Sequence, residues 1–254
     1  MALAESAMAL AESAATGIIG GGIPMALLIT SSVFSVYLVV ASNVLSSETC
    51  HDCPRWSWLA SLPFQTALLP ALWLWAFYSQ ELPLLEWILA GWDTAGASSA
   101  VDLRRLWLCV FFGYIAKDCV LYKCMTFIYW LHHFVCFAIT LGYLYLDPPC
   151  VFVTGAMLCE LGSASQSFYY VADTSPTYGR FAWWNHCILM TASNVASVAL
   201  VVLLMLQHEH PLGSRLTFSI VTVILMEERQ RACIANLRGW KPPSAAAAAA
   251  KKAS

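Results

Sequence analysis

Long apolar runs separated by short polar segments dominate this chain. Seven of these runs are close to the length that a helix needs to cross a bilayer, roughly 20 residues for a hydrocarbon core about 30 Å thick. The runs lack the two-residue alternation of membrane β-barrel strands, and lipid tolerates only helices or closed barrels. The pattern predicts an all-α, polytopic membrane bundle of about seven transmembrane helices, near residues 20–45, 58–78, 103–122, 125–146, 151–171, 181–206 and 212–226.

Composition points the same way. Of the 254 residues, 59% are hydrophobic and 11% are charged, whereas charged residues make up about a quarter of an ordinary soluble domain. Tryptophan and tyrosine, whose amphipathic rings favour the level of the lipid headgroups, occur near the ends of several runs. They are Trp56, Trp58, Trp107, Tyr122, Trp183 and Trp184.

The segments between the runs predict one short helix and several turns. Residues 81–102, "ELPLLEWILAGWDTAGASSAVD", are apolar in their first half, which predicts a short helix lying on the membrane surface. Their Gly- and Ser-rich second half predicts a loop, as does "DTSPTYGR" at residues 173–180. Few residues around Lys123 separate the third and fourth runs, so these two helices are expected to form an antiparallel hairpin.

The two ends of the chain suggest an orientation and a location. Six of the thirteen cations follow the last run, which places the C-terminus in the cytosol by the positive-inside rule: Arg229, Arg231, Arg238, Lys241, Lys251 and Lys252. Residues 241–254 are expected to be a disordered tail, and its final lysines resemble the dilysine signal that retrieves membrane proteins to the endoplasmic reticulum. Residues 1–19, with "MALAESA" repeated, are expected to be an N-terminal tail without an assigned role.

The ten cysteines do not predict a disulfide framework. Five of them, Cys109, Cys119, Cys136, Cys159 and Cys187, lie within apolar runs, where a free cysteine behaves as a small hydrophobe. "CHDC", Cys50 to Cys53, has the spacing of half a zinc site, but no second pair follows it. No metal site is therefore expected.

Ionisable side chains inside predicted spans are the main functional signal. Each one is costly in lipid, by roughly 2.5 to 3.5 kcal/mol or more at the bilayer centre. Four consecutive predicted helices carry them, as expected for a polar cavity enclosed by a bundle. They are Lys117, Asp118, His132, His133, Glu160 and His186.

Helical spacing groups further polar residues with these. Glu160, Ser163 and Ser167 share one face of the fifth run, and Thr191, Asn194 and Ser197 share one face of the sixth. The hydroxyl groups are interpreted as links between helices, whereas a carboxyl group in mid-span must be neutral, paired or hydrated.

The adjacent histidines project about 100° apart on a helix, which makes a shared metal ion implausible. Their nearest expected partners are Asp118 and Glu160. The hypothesis is that His133 and Glu160 face the cavity, while His132 and Asp118 support it.

The stretch "GYIAKDCVLYKCMTFIYWLHHFVCFAITLGYLY", followed by "VFVTGAMLCELGSASQSFYYV", resembles the TLC-domain family, which includes ceramide synthases and translocation-associated membrane proteins. The resemblance covers about residues 55–240 and implies a six-helix bundle, here with an additional N-terminal helix in residues 20–54. It implies a histidine pair at His132 and His133. Glu160 and Ser163 stand where a ceramide synthase has two aspartates, so the chain looks closer to the non-synthase branch of the family.

Two functions follow from this resemblance. The preferred one is a lipid-binding protein that contributes to membrane lipid homeostasis by holding a lipid or acyl chain in a cavity lined by Asp118, His133, Glu160, Ser163, His186 and Asn194. The alternative is an acyl-CoA-dependent N-acyltransferase that uses His132, His133 and Glu160 as catalytic groups, with acyl-CoA as a substrate. A retinal protein is disfavoured because the last run contains no lysine. No cofactor and no nucleic-acid partner are expected, and self-association is compatible with either function.

Overall fold

A computed structural model describes residues 30–37, 39, 49–50, 53–80, 82–89, 98–121, 127–145, 150–172, 175, 177–207 and 212–239. These residues are nearly all helical, which confirms the all-α prediction. After α1, residues 30–37, the helices are α2 (Arg55–Pro63), α3 (Leu69–Tyr78), α4 (Leu84–Leu89), α5 (Ser98–Leu121), α6 (Phe127–Tyr145), α7 (Cys150–Ala172), α8 (Gly179–Leu206) and α9 (Leu212–Gly239).

The two cysteines of "CHDC" belong to a pair of two-residue strands that precedes α2. Strand β1 (Thr49–Cys50) pairs antiparallel with β2 (Cys53–Pro54), and Cys50 lies opposite Cys53. The two cysteines therefore face each other as one residue pair of a two-stranded ladder.

A wide helical turn joins α2 to α3. The five residues Phe64–Leu68 form a π-helix, and the helix is continuous from Arg55 to Tyr78. Pro63 precedes the π-helix and Pro70 follows it, and neither proline can donate a backbone hydrogen bond. Single π-helical turns of this kind often occur at functional sites because they redirect side chains.

The core is built around α5. Trp107, Leu108 and Phe111 are almost fully buried against Leu69 of α3 and Val153 of α7. The indole nitrogen of Trp107 donates a hydrogen bond to the carbonyl oxygen of Leu69 at 3.0 Å, which satisfies its polar atom in the core.

The short helix predicted between the second and third runs is present as α4, and it packs against α3. Trp87 is fully buried and meets the rings of Trp73 and Phe77 edge to face, with centroids 5.3 and 5.5 Å away. The loop predicted after it ends earlier than expected, because residues 98–102 already belong to α5. Likewise, α8 begins at Gly179, inside the predicted "DTSPTYGR" loop.

The last helix is longer than predicted. The expected span ended at Met226, but α9 continues to Gly239. Arg229 lies within this extension and is 5% exposed, so it belongs to the interior of the bundle and not to a polar tail. One of the six cations used to predict the orientation is thus wrongly assigned, since a buried arginine says nothing about which side of the membrane the C-terminus occupies.

Two helices in the described part of the chain are long and apolar enough to cross a membrane. One is the continuous helix Arg55–Tyr78, with 24 residues, and the other is Gly179–Leu206, with 28 residues. By this measure the described residues support two of the seven predicted spans. The helices α5 and α9 carry several charged side chains, including Asp102, Arg104 and Arg231.

Several predictions fall outside the described residues. They are the N-terminal tail and its repeat, the connection around Lys123, the C-terminal tail with Lys251 and Lys252, and most of the predicted span at residues 20–45.

Candidate functional site

A cavity opens between α6, α7 and α9. The cavity and the open solvent at its mouth together enclose about 590 Å³. The deep end carries the buried side chains of Glu160, Cys136 and Ser197. The partly exposed rim is apolar and consists mainly of Val135, Ile139, Phe218 and Val221.

Glycine and alanine on α7 make room for this cavity. Gly155 and Ala156 both line it. A Cβ atom at Gly155 would lie 2.9 Å from Cζ of Phe218, so any larger residue there would displace the ring that borders the cavity. The position of the Phe218 ring against α7 therefore depends on the absence of a side chain at residue 155.

Glu160 is held in place by the π-helical turn. The side-chain amide of Gln65 donates a hydrogen bond to Oε2 of Glu160 at 3.0 Å, and its carbonyl oxygen accepts one from Oγ of Ser167 at 3.1 Å. Glu160, Gln65 and Ser167 are 7%, 3% and 2% exposed. A buried carboxyl group needs such partners, and Gln65 fixes it by bridging Glu160 and Ser167, which lie on the same face of α7 two turns apart.

The two histidines have the opposite roles to those predicted. His132 lines the cavity together with Glu160, whereas His133 is not among the lining residues and places Nε2 3.2 Å from Oδ2 of Asp118. The two rings are 5.4 Å apart and inclined by 81°, as expected for adjacent residues on a helix. The partnership of His133 with Asp118 is present as expected, but it ties α6 to α5 outside the cavity.

The contact between His133 and Asp118 predicts a measurable coupling. In a double-mutant cycle of Asp118→Asn and His133→Gln, we expect a coupling free energy of about 0.6 to 1.7 kcal/mol, the range found for side-chain hydrogen bonds inside membranes. The measurement is equilibrium unfolding in detergent, followed by circular dichroism. The matched cycle of Asp118→Asn with His132→Gln should be close to additive, and equal coupling in both cycles would contradict the assigned contacts.

Ser163 and Asn194 face a buried arginine and do not line the cavity. The guanidinium group of Arg229 donates to Oγ of Ser163 at 3.0 Å, to Oδ1 of Asn194 at 3.1 Å and to the carbonyl oxygen of Cys159 at 2.9 Å. Asn194 in turn donates to Oε1 of Gln230 at 2.9 Å. Arg229 thereby joins α9 to both α7 and α8.

His186 is separate from the cavity as well. It is 1% exposed, its ring stacks on Tyr169 at a centroid distance of 5.2 Å, and its Nδ1 lies 3.5 Å from Oγ of Ser165. On the other side, Nε2 lies 3.5 Å from Nδ2 of Asn236. Of the predicted ligand-binding residues, the cavity thus contains Glu160, and it adds His132 from the predicted catalytic set.

Sequence reasoning missed Gln65 and Arg229. Gln65 was overlooked because a single amide in an apolar run gives little signal without the partner that it reaches. Arg229 could have been found, because Leu225, Met226, Arg229 and Cys233 recur at the spacing of one helical face, and all four are buried. The spacing of buried residues continues beyond Met226, although the run of apolar residues ends there.

The arrangement suits binding of a chain with a polar end, or acid–base chemistry at that end. An imidazole and a carboxyl group line a mainly apolar cavity, and either one can exchange a proton with a ligand. In the described part of the chain, no group of three or more His, Cys, Asp or Glu side chains could hold a metal ion.

Comparisons with known proteins add no relative to this picture. No protein-family model matches the chain, no curated protein is significantly similar to it, and no solved structure matches its fold.

Proposed function

We propose that this chain is a polytopic membrane protein of the TLC-domain type that binds a lipid or a free acyl chain within its helical bundle and contributes to membrane lipid homeostasis. The observation that carries the proposal is the cavity between α6, α7 and α9, which is lined mainly by apolar side chains and also by the polar groups of His132 and Glu160. An amphipathic lipid has the complementary shape, with an apolar chain and a polar group at one end.

The outer surface of the bundle supports a lipid environment. Large apolar side chains are exposed along α8 and along the first half of α9, including Ile188, Val195 and Val202 on α8 and Ile220 on α9. Soluble proteins seldom expose continuous apolar surface of this kind. In a bilayer, the same side chains face lipid, and a ligand can enter the cavity sideways through its apolar rim.

The proposed location is the membrane of the endoplasmic reticulum, with seven spans and a cytosolic C-terminus. It rests on the seven apolar runs and on the terminal lysines, Lys251 and Lys252. Self-association is compatible with this arrangement, and no cofactor is part of the proposal.

An acyl-CoA-dependent N-acyltransferase is the second candidate. The position of His132 beside a cavity that also holds Glu160 favours it, because an imidazole can remove the proton of an attacking amine. The position of Ser163 weighs against it. Where a ceramide synthase has its second aspartate, this chain places a hydroxyl group that accepts a hydrogen bond from Arg229. Turnover of acyl-CoA with a long-chain amine separates the two candidates, since lipid binding alone yields no product.

Filling the cavity tests the preferred function. Ala156→Leu adds three carbon atoms to the cavity wall, so we expect a several-fold loss of bound hexadecanoic acid in native mass spectrometry of the full-length protein in detergent. The matched control is Ala192→Leu, at an exposed position on α8, which should bind as the unchanged protein does. Equal binding by both variants, or no binding by the unchanged protein, would contradict the proposal.

A further inference from the structure

We propose that Cys136 is a covalent acyl acceptor, whose thiol takes a long-chain acyl group from an acyl thioester, with His132 as the base. The product is a thioester held inside the cavity between α6, α7 and α9. This inference rests on the proposed function, because the cavity must first take up the acyl chain.

The contact between Cys136 and His132 carries the inference. Sγ of Cys136 lies 3.6 Å from Nδ1 and 3.7 Å from Nε2 of His132, one helical turn away on α6. Both residues line the cavity, so thiol, base and bound chain share one space. An imidazole in contact with a thiol can act as the base for a cysteine nucleophile.

Cys159 lies in the same cavity but has a different neighbour. Its thiol is placed beside the hydroxyl group of Ser197 on α8, whereas Cys136 is beside a histidine. The two cysteines therefore share a solvent environment and differ in their access to a base. Peptide mapping must therefore distinguish acylation of Cys136 from acylation of Cys159.

The surroundings favour the acylated form. Cys136 is 7% exposed and its neighbours in the cavity are mainly apolar, so a free thiolate would be costly there. The thiol therefore stays protonated until it attacks, and its proton passes to His132, the group in contact with the sulfur, as the bond to the acyl carbon forms. A thioester carries no charge, and its chain extends along Val135, Ile139 and Phe218 toward the apolar rim.

The reaction is an exchange of one thioester for another, without oxidation or reduction. Sγ of Cys136 attacks the carbonyl carbon of the acyl thioester, and its proton passes to His132. The new bond joins Sγ to the acyl carbon, and the bond between that carbon and the sulfur of the donor breaks. The departing thiolate takes the proton from His132 and leaves as a free thiol.

The test uses the full-length protein, incubated in detergent with hexadecanoyl-CoA and analysed by intact-protein mass spectrometry. We expect a mass increase of one acyl group that neutral hydroxylamine removes, since hydroxylamine cleaves thioesters. Peptide mapping should place it on Cys136. Cys136→Ala should abolish the adduct, Cys187→Ala, which changes a cysteine outside the cavity lining, should retain it, and His132→Ala should slow its formation by about 10² or more, the usual contribution of a general base.

Parallel measurement of bound hexadecanoic acid keeps this inference separate from the proposed function. Bound fatty acid without a covalent adduct would overturn the role of Cys136 and leave lipid binding in place. An adduct that maps to another residue, or that survives in Cys136→Ala, would also overturn it. If the unchanged protein forms no adduct and binds no fatty acid, both proposals are contradicted. Circular dichroism of each variant verifies that it is folded.

Discussion

Replacing Arg229 with methionine is expected to lower the free energy of unfolding by about 2 to 5 kcal/mol. The guanidinium group gives three hydrogen bonds, of 2.9 to 3.1 Å, to oxygens of Cys159, Ser163 and Asn194. Methionine has a similar length but no donor. The three acceptor oxygens on α7 and α8 would each lose the hydrogen bond from this side chain. Since Arg229 is only 5% exposed, the loss occurs in the interior of the bundle.

The measurement is equilibrium unfolding of the purified protein in detergent, followed by circular dichroism. Arg231→Met is the matched control, because Arg231 lies on the same helix with 70% of its side chain exposed and pairs with Glu227 one turn away. Exposed pairs of this type contribute little, so the control should unfold almost as the unchanged protein does. Arg229→Lys keeps the charge but not the forked donor geometry, and an intermediate stability is expected. Similar losses in Arg229→Met and Arg231→Met would show that the network around Arg229 does not hold α9 in place.

Gly162→Ala is expected to destabilise the protein by about 1 to 3 kcal/mol, the usual cost of overpacking. A Cβ atom at residue 162 would overlap Oγ of Ser193 on α8 and Nη2 of Arg229 on α9. Helix propensity alone would change stability in the other direction, since alanine is favoured over glycine by about 1 kcal/mol inside a helix. The sign of the effect therefore reports whether three helices meet closely at this point.

Gly213→Ala supplies the control for the same substitution. No atom lies within 4 Å of a Cβ atom built at Gly213, so alanine there should be neutral or mildly stabilising. Thermal unfolding of the two variants in the same detergent gives the comparison. Since Arg229 is one of the two groups in the way, Gly162→Ala combined with Arg229→Met should cost less than the sum of the single changes. Stability of Gly162→Ala equal to that of Gly213→Ala would contradict the packing at this glycine.

The helices themselves follow closely from the sequence. Residues 151–171 and 181–206 were predicted as spans. Helix α7 is one residue longer at each end, and α8 begins two residues earlier and ends at the predicted residue. Long apolar runs bounded by proline, glycine and polar residues leave little choice of secondary structure. The prediction failed at the end of α9 because it followed composition, whereas the buried face of that helix continues through Arg229 to Cys233.

The candidate site followed from the sequence only in part. The cost of a polar group in an apolar run was enough to select Asp118, His132, His133 and Glu160 as unusual. It was not enough to tell the two histidines apart, because adjacent positions on a helix point about 100° from each other, and either one can face inward. The positions of α5 and α9 distinguish the two histidines. His133 contacts Asp118 of α5, and His132 lines the cavity that α9 borders.

The sequence by itself determined that the chain is helical, where its long helices lie and which polar side chains need partners, because these properties depend on local composition and spacing. Only the tertiary structure determined which residues those partners are. Gln65 reaches Glu160 across 95 positions of the chain, and Arg229 reaches Ser163 across 66. Such contacts depend on how the helices pack, and a buried hydrogen bond between distant residues leaves no local pattern in the sequence.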